Sequence, residues 1–529
     1  MIGRRWIVPP GFSAGRGKCA GVDWSDGLPR GGRIVRMDAP IPLYRCEDVR
    51  AFEARAMRHD GIDAYVLMTR AAAAAFARLK LDWPMARRLC VVCGRGNNGG
   101  DGLVFARLAR MAGMQVVVVV GTEEAPAVEP AARAFAHWRE CGGEEVCFRP
   151  GDALPEADVV VDALFGIGLS RLPEGVGAAL IAAINAAGRP VLAIDVPSGL
   201  DADNGAAPGA AVKATRTVSF ISHKRGLFTG RGRALAGPVE LATLDVPVET
   251  RASQEPAAWL LDVNQLGRWL RPRRRDAHKG DHGRVLAIGG DHGYGGAIRL
   301  CVESALRCGA GLVTVATRES HVAPMLAARP EAMPHAVSDV ASLRQLAAHA
   351  EVLAIGPGLG RSEWSQSLFH AAVALGLPSV IDADGLNLLA ITQTRVPDAV
   401  LSPHPGEAAR LLGTDVPTVE RDRFGAAQAL VERFDAVVVL KGAGSIVAAP
   451  GRVPVVIGAG NPGMATGGMG DVLTGTIAAL RAQGLDAFDA ACAGTLLHSA
   501  AADAAARDGG ERGLLASDLF PHLRRLANP

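Results

Sequence analysis

Toward the C-terminal end, the stretch NPGMATGGMGDVLTG (461–475) sets one carboxylate, Asp471, among five glycines at the start of a stretch with helical apolar spacing. Glycine lets backbone approach a ligand closely, and the unpaired N–H groups of a helix start attract anions. A carboxylate there repels the anion that the loop attracts, unless it is a base that takes a proton while the loop holds a phosphoryl group. The G-x-x-x-x-G-K-[ST] phosphate loop and the protein-kinase motifs are absent from the sequence. Phosphate chemistry therefore falls to residues 465–471, where preorganised donors would stabilise charge on a transferring phosphoryl group. Lys441 ends an apolar strand and opens the loop Gly442, Ala443, Gly444, Ser445, a phosphate-site context. His404, in PHPGE, stands before Gly406 and Glu407 at a predicted helix start; it is either a ligand contact or a residue packed in a turn.

The first half holds three more such clusters. In CGRGNNGGDG, Gly94, Gly96 and Gly99 match G-x-G-x-x-G after a predicted strand, and Glu123 and Glu124 follow the next strand, where a Rossmann fold binds ribose. Asn97 and Asn98 are polar where that loop needs bare backbone, and Asp101 would face a pyrophosphate, so a dehydrogenase is disfavoured. VDALFGIGL carries Asp162 at a strand end, and IDVPSGLD carries Asp195, Ser198 and Asp201 in the same way. Ligand sites of open α/β sheets collect at the carboxyl ends of strands. The three loops are therefore expected to converge on one crevice rather than merely to cap turns.

Alternating strands and helices must position these loops. Helical spacing runs from Arg45 to about Lys80, with an alanine run at 71–75. Strands follow at 88–93, QVVVVV, ADVVVDAL and PVLAIDV, with a helical stretch at 175–187. The rhythm breaks between Val246 and Arg275, where ETRASQEPAAW is polar and RPRRRDAHKG is a basic run of the kind that forms a solvated linker. It restarts with GRVLAIGG, GLVTVAT, EVLAIGPG, LPSVIDAD and AVVVLKGAG, and long helical patterns close the chain. The expected fold class is α/β, two independent domains (37–250 and 262–529) about a linker region at 251–275, each a mostly parallel sheet covered by helices on both faces. Residues 1–36 are rich in Gly and Arg without apolar periodicity, and read as a tail or a mis-assigned start ahead of Met37.

Composition narrows the classes further. With 56 Lys and Arg against 54 Asp and Glu, the net charge of +2 gives no support to nucleic-acid or membrane-surface binding. No apolar run reaches the ~18–20 residues of a membrane span, and the N-terminal stretch lacks a secretory h-region. Nine cysteines lack framework spacing; Cys90 and Cys93 form a C-x-x-C inside an apparently buried strand with no second ligand pair. Reduced thiols in a cytoplasm are the expectation.

NNGGDG, DALFGIGL and DVPSGLD, with SHKRGLFTG downstream, resemble the epimerase domain for hydrated nicotinamide nucleotides over about 43–246. That family interconverts R and S forms of NADHX and NADPHX, which carry a hydroxyl at C6 of the nicotinamide ring. The resemblance implies a Rossmann-like αβα domain in which Asn98, Asp162 and Ser198 bind potassium. It also implies that Asn97, Asn98, Gly99, Gly100 and Asp101, with Gly166, Ile167, Gly168, Leu169, Ser170, Arg171 and Leu172, hold the nucleotide, and that Asp195 is the acid/base at the nicotinamide. Two positions depart from the pattern: Ile167 replaces the usual Thr, and LMTRAAAAAF lacks a glycine after its first alanine.

KGDHGRVLAIGG, SPHPGEAARLL, VLKGAGS and GNPGMATGGMGDVL are similar to the ADP-dependent NAD(P)HX dehydratases of the ribokinase superfamily over about 262–526. This implies that Ala297, Gly358, His404 and Asp471 contact the hydrated nucleotide, and that Lys441, Gly442, Ala443, Gly444, Ser445 and Gly470 bind the adenine nucleotide, with Mg2+ and ADP required. One chain with both repair activities is the leading expectation, its partners small molecules, with no nucleic acid or membrane and with assembly into a homo-oligomer. The alternatives are a ribokinase-like vitamin or sugar kinase fused to a nucleotide-binding module, or a first half serving only as a sensor.

Overall fold

The computed structural model describes residues 39–168 and 172–528; the tail expected at 1–36 and the loop positions Leu169, Ser170 and Arg171 lie outside the described residues. Two large sheets flanked by helices make up the described residues, a mixed α/β architecture.

The first sheet has seven strands, in the order Glu145–Cys147, Gln115–Val120, Arg88–Cys93, Val159–Ala163, Val191–Ile194, Arg216–Phe220 and Val239–Ala242, every neighbouring pair parallel. Its central strands, RLCVVC and VVVDA, are buried on both faces because helices cover both, and are apolar there except for Asp162. Cys90 and Cys93 point to opposite faces of one strand, into different cores, so they form no pair. The chain order reverses between Arg88–Cys93 and Val159–Ala163, and that switch point opens a crevice at the strand ends. The helical stretch expected at 45–80 is two helices, Cys46–His59 and Ala64–Asp82. Asp63 starts the second by accepting bonds from the N–H groups of Tyr65 (2.9 Å) and Val66 (3.3 Å).

The second sheet has twelve strands. Met333–Ala336, Leu312–Thr317, Arg284–Ile288, Val352–Ile355, Ser379–Ile381, Ala399–Leu401 and Val437–Leu440 run parallel, with the order reversing between Arg284–Ile288 and Val352–Ile355. Ile446–Ala448 and Val455–Ile457 follow in antiparallel pairing. Beyond them come Ala258–Leu261, Ile41–Tyr44 and His223–Lys224. The stretch expected as a linker thus supplies a strand, and the first half supplies two: Trp259 registers with Val455, Ile41 with Leu260, and Leu43 with His223. The physical reason lies in AWLL, whose Ala258, Leu260 and Leu261 are buried, whereas the basic run at 271–275 stays exposed.

One helix crossing fixes the C-terminal carboxylate. Helix Met469–Ala482 lies against helix Gly295–Arg307 so closely that a Cβ at Gly475 would stand 1.9 Å from the Cys301 carbonyl oxygen. Only glycine permits this approach, which brings the start of the helix over the second switch point. No helix among the described residues is long and apolar enough to cross a membrane.

Candidate active sites

At the first switch point a cavity of ≈ 1290 Å³ is lined by residues including Asn97, Asn98, Asp101, Gly166, Ile167, Gly168 and Asp195. Beneath it lies Asp162, wholly buried. Its oxygens accept from the Ser198 hydroxyl (2.6 Å), the Ser198 N–H (2.8 Å) and the Leu164 N–H (3.2 Å), all uncharged donors. Burial pushes the Asp162 carboxyl up to about 6, which those bonds offset only in part. The Ser198 hydroxyl also accepts from the Phe165 N–H at 2.8 Å. The Asn98 side chain packs beside Gly166, and its Nδ2 is buried without a hydrogen-bond partner. Ser198 is thus bonded to the buried Asp162 at its strand end, and Asn98, in the first turn of helix Asn97–Met111, stands beside Gly166 of the loop that follows Asp162.

Asp195 takes a left-handed backbone (φ 68), a strained conformation for a residue with a side chain. The Phe220 N–H donates to it at 3.1 Å, and Lys224, itself buried, forms a short ion pair with the same oxygen. Lys224 also donates to the Phe220 carbonyl (2.9 Å) and the Ser219 hydroxyl (3.2 Å). Asp101 and Glu53 line the same cavity. Burial and the neighbouring Asp195 raise both carboxyls, Asp101 well above its ordinary range. The Ile167 carbonyl accepts from Arg50 at 2.6 Å, and its side chain packs half-buried against the neighbouring hydrophobic clusters. Leu172 is half-exposed at the described edge of that loop.

The second site collects the ends of four parallel strands, Val352–Ile355, Ser379–Ile381, Ala399–Leu401 and Val437–Leu440. Ala297 and Gly358 adjoin: a Cβ on Gly358 would lie 3.1 Å from that of Ala297. His404 caps helix Pro405–Leu412, its Nδ1 accepting from the Gly406 N–H (3.0 Å) while its own N–H donates to Glu407 (2.9 Å). The Lys441 N–H donates to the Pro403 carbonyl (2.8 Å), tying two strand ends together. The Lys441 ammonium meets Asp382 at 2.6 Å and Glu407 at 3.7 Å, and Asp382 also accepts from Thr474 at 3.0 Å. A Cβ on Gly470 would lie 2.9 Å from Asp382 and 3.2 Å from the Lys441 nitrogen, so the helix start closes this cluster. Burial, then repulsion from Asp382, pushes Asp471 up to about 7, against a smaller pull from Lys441. Burial likewise raises Glu407 to about 7. Burial opposes the Lys441 charge, yet Asp382 and Glu407 outweigh it and raise its pKa.

The loops carrying the expected residues thus gather at the two switch points, apart from the loop positions outside the described residues. The residues that sequence reading missed are Glu53, Lys224 and Asp382. Asp382 had a signal: IDAD ends an apolar strand as VDAL and IDVP do. Lys224 lies within SHKRGLFTG, but nothing in that stretch names its partner.

The family described as NAD(P)H-hydrate dehydratase matches residues 285–525, and the one described as YjeF-related protein N-terminus matches 64–226. The bifunctional NAD(P)H-hydrate repair enzyme Nnr of Escherichia coli is 46% identical over 93% of this chain and 95% of that protein. Its counterpart from Coxiella burnetii is 48% identical over 92% and 99%. A crystal structure of the ADP/ATP-dependent NAD(P)H-hydrate dehydratase from Bacillus subtilis, co-crystallised with ATP and Mg2+, is 28% identical with a TM-score of 0.45, covering 50% of this chain and 95% of that one. Identity of this extent along nearly the whole of both relatives shows the family: the chain belongs to the bifunctional NAD(P)H-hydrate repair enzymes.

Proposed function

We infer that the chain repairs hydrated nicotinamide nucleotides in two steps, epimerising R- and S-NAD(P)HX at the first site and dehydrating the S form at the expense of ADP at the second. The observation that carries the second step is Asp471, raised to about 7 at the mouth of a helix start. A base of that strength takes a proton near neutral pH, while the helix N–H groups and Lys441 hold phosphate. Asp471 takes the proton of the C6 hydroxyl as that oxygen attacks the β-phosphorus of ADP, and AMP leaves. The ring-nitrogen lone pair then expels phosphate from C6, and loss of a proton from C5 yields NADH or NADPH. Ala297, Gly358 and His404 shape the nicotinamide side; Lys441, the loop to Ser445 and Gly470 shape the ADP side. Mg2+ enters this reading as counter-ion of the ADP phosphates.

In the first site Asp195 moves the proton as the C6 centre inverts through an opened or dehydrated ring. Lys224 fixes its orientation, and Asp101 is the neighbouring carboxyl that keeps a proton. Asn97, Asn98, Gly99, Gly100 and the loop from Gly166 hold the nucleotide. A buried carboxylate with only neutral donors fits a monovalent cation, and we assign potassium to Asn98, Asp162 and Ser198, with Asn98 contributing through oxygen rather than through its amide nitrogen. Bound there, potassium supplies the positive charge that Asp162 lacks and braces the loops. Within this reading the enzyme works in the cytoplasm as a homo-oligomer.

Incubating S-NADHX with ADP tests the dehydratase assignment. AMP, phosphate and reduced-nicotinamide absorbance should appear in equal amounts; a phosphorylated nucleotide that accumulates instead would indicate a kinase.

A further inference from the structure

The loop assigned to ADP is held from behind by Arg423 of its own half and by Thr229 and Gly230 of the other. Between strands Val437–Leu440 and Ile446–Ala448, its carbonyls are bonded in turn by distant residues. The Lys441 carbonyl accepts from Arg423 at 3.1 Å, the Ala443 carbonyl from the Gly230 N–H at 2.9 Å, and the Gly444 carbonyl from the Thr229 hydroxyl at 2.8 Å. Arg423, 1% exposed, also donates to the Leu440 carbonyl (3.3 Å) and to the Thr229 hydroxyl (3.2 Å), and pairs with Glu420 at 2.8 Å. At Gly444 (φ +64) a Cβ would stand 1.9 Å from the Phe228 carbonyl oxygen. That glycine therefore answers to a neighbouring backbone as much as to a ligand. The segment reaching the loop at 228–230 starts near Lys224, the partner of Asp195.

Peptide geometry turns these anchors into a statement about binding. In a trans peptide the carbonyl of one residue and the N–H of the next point in opposite directions. Fixing the carbonyls of 441, 443 and 444 on the rear side therefore fixes the N–H groups of 442, 444 and 445 on the other. Glycine-rich backbone has many alternative states, and donors that are already aimed cost no reorganisation when the phosphates arrive. A planar guanidinium that spans two carbonyls and a hydroxyl is a rigid brace, which a lysine cannot reproduce.

We propose that Thr229, Gly230 and Arg423 are positioning residues of the dehydratase reaction, so that the epimerase half sets the geometry in which ADP is bound. This rests on the reading that 441–445 is the ADP loop, and the test separates the two. In the full chain, Thr229→Val should raise KM for ADP about tenfold, the effect of leaving a buried carbonyl unpaired. KM for S-NADHX should not move, and Thr229→Ser should return to within about twofold of the parent. Arg423→Lys should shift KM for ADP in the same direction. Lys441→Gln is measured alongside. If Lys441→Gln raises KM for ADP and Thr229→Val leaves it unchanged, the positioning role fails alone. If neither changes it, the loop assignment has failed and the proposal with it. Equal rises in both KM values for Thr229→Val, with no rescue by serine, would mark general loosening and overturn the proposal.

Discussion

Asp162 is buried and Asp471 half-buried, and burial raises both carboxyls, but their surroundings give them different work. Asp471 stands at a helix start with an ion-paired Asp382–Lys441 beside it. Asp471→Asn keeps the shape and cannot take a proton, so dehydration should fall by ~10²–10⁴, with epimerisation of R-NADHX intact when followed chromatographically. In the parent, kcat for dehydration should fall as pH drops through about 7. The stability consequence has the opposite sense. A carboxyl raised in the fold binds its proton more tightly there than in the unfolded chain, so its contribution is fullest below the unfolded value near 3.8 and is lost as pH rises through about 7. Asp471→Asn should therefore melt higher than the parent at pH 8, a gain that shrinks on acidification. Asp162 has neutral donors only. Potassium should raise the melting temperature at pH 8 more than at pH 5, where the carboxyl, raised to about 6, is mostly protonated, and an equimolar organic cation should not. Asp162→Asn should abolish that difference together with epimerisation.

Among elements, the strand ends were the part of the site most legible in sequence. Asp162 and Asp195 end apolar strands before glycine-rich turns, and parallel sheets bring such ends together. Asp382 followed the same pattern unread, because LPSVIDAD has no glycine-rich motif after it. The partnerships were not legible: Arg423 and Thr229 are 194 positions apart, and no local spacing predicts a bond of that range. The strand Ala258–Leu261 was hidden for a similar reason, since its four residues need the edge of another sheet to become a strand. The crossing of helices Met469–Ala482 and Gly295–Arg307 yields its own prediction. Gly475→Ala places a methyl group against the Cys301 carbonyl and must push the helix start away. It should cost about 1–3 kcal/mol of stability by chemical denaturation and reduce dehydration more than epimerisation.

Across the whole molecule, the two halves are less separate than the break in sequence rhythm suggests. Three strands from before residue 262 extend the second sheet, and the loop at 441–445 is bonded by Thr229 and Gly230. A chain begun at Asp262 leaves Val455–Ile457 as a bare edge. It should melt lower and bind ADP more weakly than the full chain; equal values in calorimetry would show that the halves stand alone. The joined architecture matters because the two activities act on one damaged pool, the epimerase feeding the only form the dehydratase uses. The decisive measurement gives the full chain an R,S mixture of NADHX with ADP, Mg2+ and K+, and follows reduced-nicotinamide absorbance to its end point. Conversion of the entire mixture at enzymatic rate is predicted. A halt at the S fraction, with R-NADHX left to its slow spontaneous epimerisation, would contradict the account.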